Sequence, residues 1–115
     1  MNYASFNHLR TFRQRHGLTE DELGFLINQG SPAGMLRIEM GRRVPDLRRA
    51  LALQVLFRQA PRDLFPGLYE VVEEGVMRRA KFLIDRLGDR TDHRSIAKRD
   101  FLSSLARAED SGATV

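Results

Sequence analysis

The chain contains no cysteine, no tryptophan, only four prolines and no long apolar segment. Without cysteine there can be no disulfide and no thiolate-bound metal. The longest apolar-rich stretch, residues 50–57, is interrupted by Gln54, and a membrane-spanning helix needs about 20 apolar residues. The N-terminus lacks a basic flank followed by an apolar run. We therefore expect no export signal and a cytoplasmic protein.

Positive charge is concentrated in one half of the chain. Residues 1–66 carry ten arginines against six acids, whereas residues 67–115 carry nine bases and nine acids. The whole formal excess of four positive charges therefore lies in the first half, and the pI of the chain is about 10.3. Such asymmetry is typical of a chain in which one part meets a polyanion, although a solvated basic surface is equally compatible with it.

Nearly every segment has the periodicity of a helix, so the sequence predicts an all-α fold. In the first half, cap residues, prolines and glycines predict five short helices, at about 5–16, 19–27, 32–40, 47–57 and 61–65. Residues with helical spacing occur in four of them: Phe6, Leu9 and Phe12 in the first; Leu23, Leu26 and Ile27, predicted to be buried, in the second; Met35 and Ile38, also predicted to be buried, in the third; and Leu47, Ala50, Leu51, Gln54 and Val55 in the fourth.

Two short helices, each with its own start signal, are predicted on either side of a turn at residues 28–30. Thr19 and Glu22 have the spacing of a capping box. Ser31 and Pro32 supply a cap residue followed by proline at the first helical position. Two short helices joined by a tight turn are the arrangement that places a helix in the major groove of DNA. The residues therefore favour a DNA-reading unit within 18–46.

Beyond residue 66 the predicted helices are longer. We expect a helix from Leu68 to Leu87, a polar link at residues 89–95 and a last helix that carries Ile96 and Phe101. We divide the chain into a DNA-binding domain (1–66), a helical extension (67–110) and a disordered tail (111–115).

The long helix has an amphipathic stripe, formed by Tyr69, Val72, Val76, Ala80, Leu83 and Leu87. This stripe either folds back on the first domain or pairs with a second copy. We favour a homodimer with these residues at its interface, because a single DNA-reading unit makes few contacts and such units usually act in pairs.

Two motifs carry a resemblance to a known family. Residues 18–23 (Leu-Thr-Glu-Asp-Glu-Leu) and 37–45 (Arg-Ile-Glu-Met-Gly-Arg-Arg-Val-Pro) resemble the Cro/repressor-type, or XRE-like, helix-turn-helix proteins. The resemblance extends over residues 7–65 and implies a five-helix, lambda-repressor-like domain that binds double-stranded DNA without a cofactor. It also implies a structural ion pair between Arg10 and Glu39.

The same resemblance implies that helix 32–40 enters the major groove, followed by a loop along the phosphate backbone. The residues it assigns to DNA are Gln29, Ser31, Ala33, Gly34, Leu36, Arg37, Arg42 and Arg43. The sequence departs from the family at Glu20, where glutamine is usual, and a carboxylate there repels phosphate. The expected base-reading positions also offer few hydrogen-bonding groups, although a bidentate contact contributes about 1–3 kcal/mol of discrimination per base pair.

Three hypotheses of function follow. The first is a repressor-like transcriptional regulator associated with the nucleoid. The second is a helix-turn-helix fold that binds a protein, as an antitoxin-like or anti-activator module. The third is a DNA binder without sequence preference. No nucleophile elbow, phosphate-cradling loop or histidine-based zinc motif is present, so we expect neither an enzyme nor a metal site.

Overall fold

A computed structural model of the chain describes residues 6–110, which form seven helices and no strand. The predicted all-α fold is therefore confirmed for these residues. The helices are α1 (Leu9–Arg15), α2 (Glu20–Leu26), α3 (Pro32–Glu39), α4 (Leu47–Phe57), α5 (Pro61–Leu64), α6 (Pro66–Leu87) and α7 (His93–Asp110). None of them has the length and apolar character needed to cross a membrane. The predicted disordered tail, 111–115, lies outside the described residues.

Local capping signals place the starts of α2, α3 and α4. The Thr19 amide donates to Glu22 Oε1 at 2.9 Å, and the Glu22 amide donates to Thr19 Oγ1 at 3.1 Å, which confirms the capping box. Ser31 Oγ accepts from the Gly34 amide at 3.1 Å, with proline at the next position. Asp46 caps α4 in the same way. These side chains satisfy amides that a helix start leaves without partners.

Other helix starts differ from the prediction. α1 begins only at Leu9, whose amide donates to the Asn7 side chain at 3.1 Å. α7 begins at His93, inside the predicted polar link, because Asp92 acts as a cap. The Asp92 carboxylate accepts from the amide of Ser95 at 3.1 Å and from its hydroxyl at 2.6 Å. Each shift therefore follows from a short polar side chain that bonds to a nearby amide.

The chain divides into two compact units at Val71–Val72, within α6. The first unit contains a continuous core of nine residues: Leu9, Leu23, Ile27, Met35, Ile38, Leu53, Phe57, Leu64 and Phe65. Burial of Leu23, Ile27, Met35 and Ile38 was predicted and is confirmed. The prediction for Leu26 was wrong, since this side chain is 49% exposed.

The stripe of helical spacing named on α4 is not the face that the helix buries. Leu47 and Val55 are more than 70% exposed and Leu51 is about half exposed, whereas Leu53 and Phe57 are buried. Both sets have helical spacing, so periodicity alone cannot distinguish them. Aromatic packing favours burial of Leu53 and Phe57. The centre of the Phe57 ring lies 5.6 Å from the centre of the Phe12 ring and 5.8 Å from that of the His16 ring.

The second unit, from Val72 onward, has a much smaller core. Ala80 is its one buried hydrophobic residue among those described, and Ser95 is also buried. Several large apolar side chains stay about half exposed or more, namely Val72, Val76, Phe82, Leu83 and Phe101. Two helices alone therefore bury little apolar surface here.

The burial pattern of α4 predicts that truncating Leu53 and truncating Val55 have very different effects on the free energy of unfolding. Leu53→Ala removes a fully buried side chain, so we expect it to lower the free energy of unfolding by about 2–5 kcal/mol. Val55→Ala changes a side chain that is 73% exposed, and should stay within about 0.5 kcal/mol of the parent protein. Urea unfolding followed by circular dichroism measures both. A larger loss for Val55→Ala than for Leu53→Ala would contradict this orientation of α4.

Candidate nucleic-acid interface

α3 combines a buried face with an exposed one. Met35 and Ile38 are fully buried in the core of the first unit. Ala33, Leu36 and Arg37 are exposed, and their spacing places them on the opposite face, which we call the outer face of α3. The core thus determines which side of α3 a partner can reach.

Four of the residues predicted to contact DNA meet at the start of α3. A Cβ atom built on Gly34 would lie 3.1 Å from Ser31 Oγ and 3.2 Å from Arg43 Nη1, and closer still to the side-chain nitrogen Nε2 of Gln29. Gly34 itself is buried. The prediction that Gly34 contacts DNA is therefore corrected, because its role is to leave space for the side chains of Gln29, Ser31 and Arg43.

The loop after α3 presents two exposed arginines. Gly41, with φ 75°, ends the helix in the left-handed region that glycine adopts without strain. The amides of Arg42 and Arg43 then both donate to the Arg37 carbonyl, at 2.8 and 3.2 Å. Arg37, Arg42 and Arg43 are all exposed. Arg37 lies on the outer face of α3, and this turn places Arg42 and Arg43 directly after the end of the helix.

Glu39 pairs with Arg13, and the predicted pair with Arg10 was wrong. Arg13 Nε lies 2.6 Å from Glu39 Oε2, and Arg13 Nη2 lies 3.2 Å from Oε1. The side chains of Arg13 and Glu39 are only 9% and 2% exposed, whereas Arg10 is exposed. Arg13 follows the buried Leu9 by four residues and shares its face of α1, whereas Arg10 points about 100° away. That spacing was the signal that could have identified Arg13.

All three nitrogens of the Arg13 guanidinium donate hydrogen bonds. Its Nη1 donates to the Leu18 carbonyl at 2.9 Å, so each of its three nitrogens has an acceptor. Hydrogen bonding to Glu39 raises the pKa of Arg13 above its ordinary value. Arg13 thus links α1, the loop before α2 and the end of α3.

Two further contacts hold the ends of α3, and the sequence analysis missed both. The side-chain amide of Asn7 donates through Nδ2 to the backbone carbonyls of Ile38 and Glu39, at 3.1 and 3.3 Å, and so caps the C-terminal end of α3. At the other end, Arg49 donates to the Asn28 carbonyl through Nε at 3.1 Å and Nη2 at 2.6 Å. Asn28 has φ 62°, a conformation that asparagine tolerates better than most residues.

Negative charge lies close to the same surface. Glu20 and Asp21 line a cleft of about 370 Å³ together with Gln29, Ser31 and Pro32. Asp46 pairs with Arg49, whose amide hydrogen bond lowers the pKa of Asp46 below its ordinary value. These carboxylates offset part of the positive charge contributed by the arginines. Glu20 and Asp21 also oppose binding of phosphate at the start of α2.

Within residues 6–110, no cluster of three or more histidine and carboxylate side chains is arranged to hold a metal ion. Compared with known proteins, the chain matches no family model, no curated protein and no solved structure.

The Arg13–Glu39 pair predicts a large difference between two arginine substitutions on α1. Arg13→Ala leaves the Glu39 carboxylate buried without its partner, so we expect a loss of about 3–5 kcal/mol in the free energy of unfolding. Arg10→Ala removes an exposed side chain and should change it by less than about 0.5 kcal/mol. Urea titration of both variants under identical conditions measures the difference. Equal effects, or a larger effect of Arg10→Ala, would contradict the assigned pair.

Proposed function

We propose that the protein is a DNA-binding transcriptional regulator of the repressor-like type, which places α3 in the major groove. The observation that carries this proposal is how α3 is held: side chains bind its C-terminal end and the turn before it, its outer face is exposed, and the exposed Arg42 and Arg43 follow it in the chain. The resemblance to Cro/repressor-type helix-turn-helix proteins supports the same function. In this proposal the five helices of the first unit form the helix-turn-helix domain, and the protein works without a cofactor at the nucleoid.

The proposed contacts divide into anchoring and reading. Arg42 and Arg43 bind phosphates, which positions α3 but conveys no sequence information directly. Reading depends on Ser31, Gln29 and Arg37 for hydrogen bonds, and on Ala33 and Leu36 for contacts with thymine methyl groups. Because few of these groups donate or accept hydrogen bonds, a single copy binds DNA mainly through its charge.

A homodimer would compensate for this limited reading capacity. We propose that two copies associate through the exposed residues Val72 and Val76 of α6, supported by the small core of the second unit. Ala80 is buried within its own chain and is removed from the predicted interface, and Leu87 is half-buried. Tyr69 and Leu83 are about half exposed. A dimer would place two copies of α3 on half-sites about 34–36 Å apart, one turn of DNA.

A protein partner is a second candidate. Phe25 is 84% exposed and lines the same cleft as Glu20 and Asp21. An exposed aromatic ring beside two carboxylates suits a basic, partly apolar protein segment better than it suits DNA. This surface favours an antitoxin-like or anti-activator module if DNA binding is absent.

Removing the anchoring arginines tests the proposed function. Arg42→Ala/Arg43→Ala should weaken binding to every duplex and reduce the slope of log K against log salt by about 2, one for each lost phosphate contact. Gel-shift titrations over a range of salt concentrations measure both quantities. Arg78→Ala/Lys81→Ala makes the same charge change on exposed residues of α6 and should preserve affinity.

Unchanged affinity in the Arg42/Arg43 variant would contradict the assigned contacts. If the parent protein fails to bind any duplex at low salt, the DNA-binding proposal is wrong and the protein-partner candidate is favoured. Binding that never distinguishes one duplex from another indicates a DNA binder without sequence preference.

The proposed dimer has its own test. Val76→Glu places a charge on the proposed interface, so we expect a dimeric parent protein to become monomeric, because a buried unpaired carboxylate is costly. Val55→Glu is the matched control on an exposed valine of α4, and it should remain dimeric. Size-exclusion chromatography with light scattering at micromolar concentration measures the mass. A monomeric parent protein, or dissociation by Val55→Glu alone, would contradict the interface.

A further inference from the structure

An apolar groove with a basic rim lies between the distal parts of α6 and α7, within the second unit. Its volume is about 490 Å³. Its apolar walls are Leu83 and Leu87 from α6 and Phe101 and Leu102 from α7. The remaining lining residues are three cations, namely Arg86, Arg90 and Lys98.

No described residue contributes negative charge to balance these cations. Among the lining residues that the structure describes, none is an aspartate or glutamate. Among the side chains that the structure describes, no carboxylate lies within ion-pair distance of any of the three cations. A concave surface with unbalanced charge of one sign attracts a ligand of the opposite sign.

Contacts within the unit support two of these cations. The Arg86 guanidinium lies 5.9 Å from the centre of the Phe82 ring. The loop that carries Arg90 is fixed by Arg99, which donates to the carbonyls of Gly88 and Arg90 at 2.8 and 2.7 Å. The basic rim is therefore attached to an ordered loop and a helix, and part of the site exists before a ligand arrives.

We propose that this groove binds an amphipathic carboxylate, that is, an organic acid with an extended apolar body. Its volume falls within the range of about 300–1,000 Å³ that small-molecule sites occupy. Arginine presents paired donors that match the two oxygens of a carboxylate, so Arg86 and Arg90 suit the head group. The apolar body would lie against Leu83, Leu87 and Phe101.

The apolar walls distinguish this site from a phosphate-binding surface for DNA. DNA phosphates need cations and hydrogen-bond donors but no apolar floor. The proposed dimer contact at Val72 and Val76 precedes the groove on α6, because Val76 lies seven residues before Leu83, or about 10 Å along a helix. Leu83 and Leu87, which belong to the predicted dimer stripe, line the groove, and in this proposal they contact the ligand. Carboxylate binding here does not depend on DNA binding.

Sodium decanoate, used below its micelle-forming concentration, tests the site by isothermal titration calorimetry on the full chain. We expect one saturable site per chain, and binding at least about tenfold weaker for the neutral decanamide, which lacks the charge. Arg86→Glu/Lys98→Glu and Phe101→Ala should each weaken decanoate binding by at least about tenfold. Arg78→Glu/Lys81→Glu makes the same charge change on α6 outside the groove and should bind normally. Circular dichroism on every variant verifies that helix content is retained.

Several outcomes would overturn the proposal. They are the absence of saturable decanoate binding, equal binding of decanamide, and equal binding by the Arg86/Lys98 variant. Loss of DNA affinity in that variant, with decanoate binding intact, would assign the cations to DNA. If the parent protein is dimeric, binds no decanoate and becomes monomeric on Phe101→Ala, the groove is occupied by a second copy. Each of these readouts differs from that of the Arg42/Arg43 experiment, so the two proposals can fail separately.

Discussion

The position of α3 depends on the buried ion pair between Arg13 and Glu39. Removing two charges from water is costly, and a buried pair is tolerated only when its geometry is good and its remaining donors are satisfied. Here Arg13 donates to both oxygens of Glu39, and its third nitrogen donates to the Leu18 carbonyl. The pair therefore fixes the end of α3 against α1, and the orientation of every exposed group on α3 follows from it.

The other contacts of α3 extend this constraint to its whole length. Asn7 holds the C-terminal carbonyls, Arg49 holds the turn before the helix, and Met35 and Ile38 are fully buried. A helix held in this way presents its outer face with little freedom, which reduces the entropy lost when a partner binds. In our proposal, this rigidity compensates for the small number of polar groups on that face. The arginines of the following loop supply the attraction, and a second copy supplies the additional contacts.

Local signals in the sequence predicted much of the fold, and contacts between distant segments were predicted poorly. Caps at Thr19, Ser31 and Asp46 act within three residues, so the starts of α2, α3 and α4 were read correctly. The buried face of α4 could not be read from the sequence, because more than one set of its residues satisfies the same periodicity. The partner of Glu39 was misassigned by three residues, since the pair joins segments 26 residues apart. The groove between α6 and α7 could not be predicted at all, because it depends on how the two helices pack.

The most direct test of the central claim is in vitro selection of duplexes from a randomised DNA library by the full-length protein at low salt. We predict enrichment of a sequence with two similar half-sites, whose centres lie about 10 base pairs or a multiple of that apart, as expected for a symmetric pair of reading helices. Bound DNA that is indistinguishable from the input library after repeated rounds would contradict the account of this protein as a sequence-reading regulator.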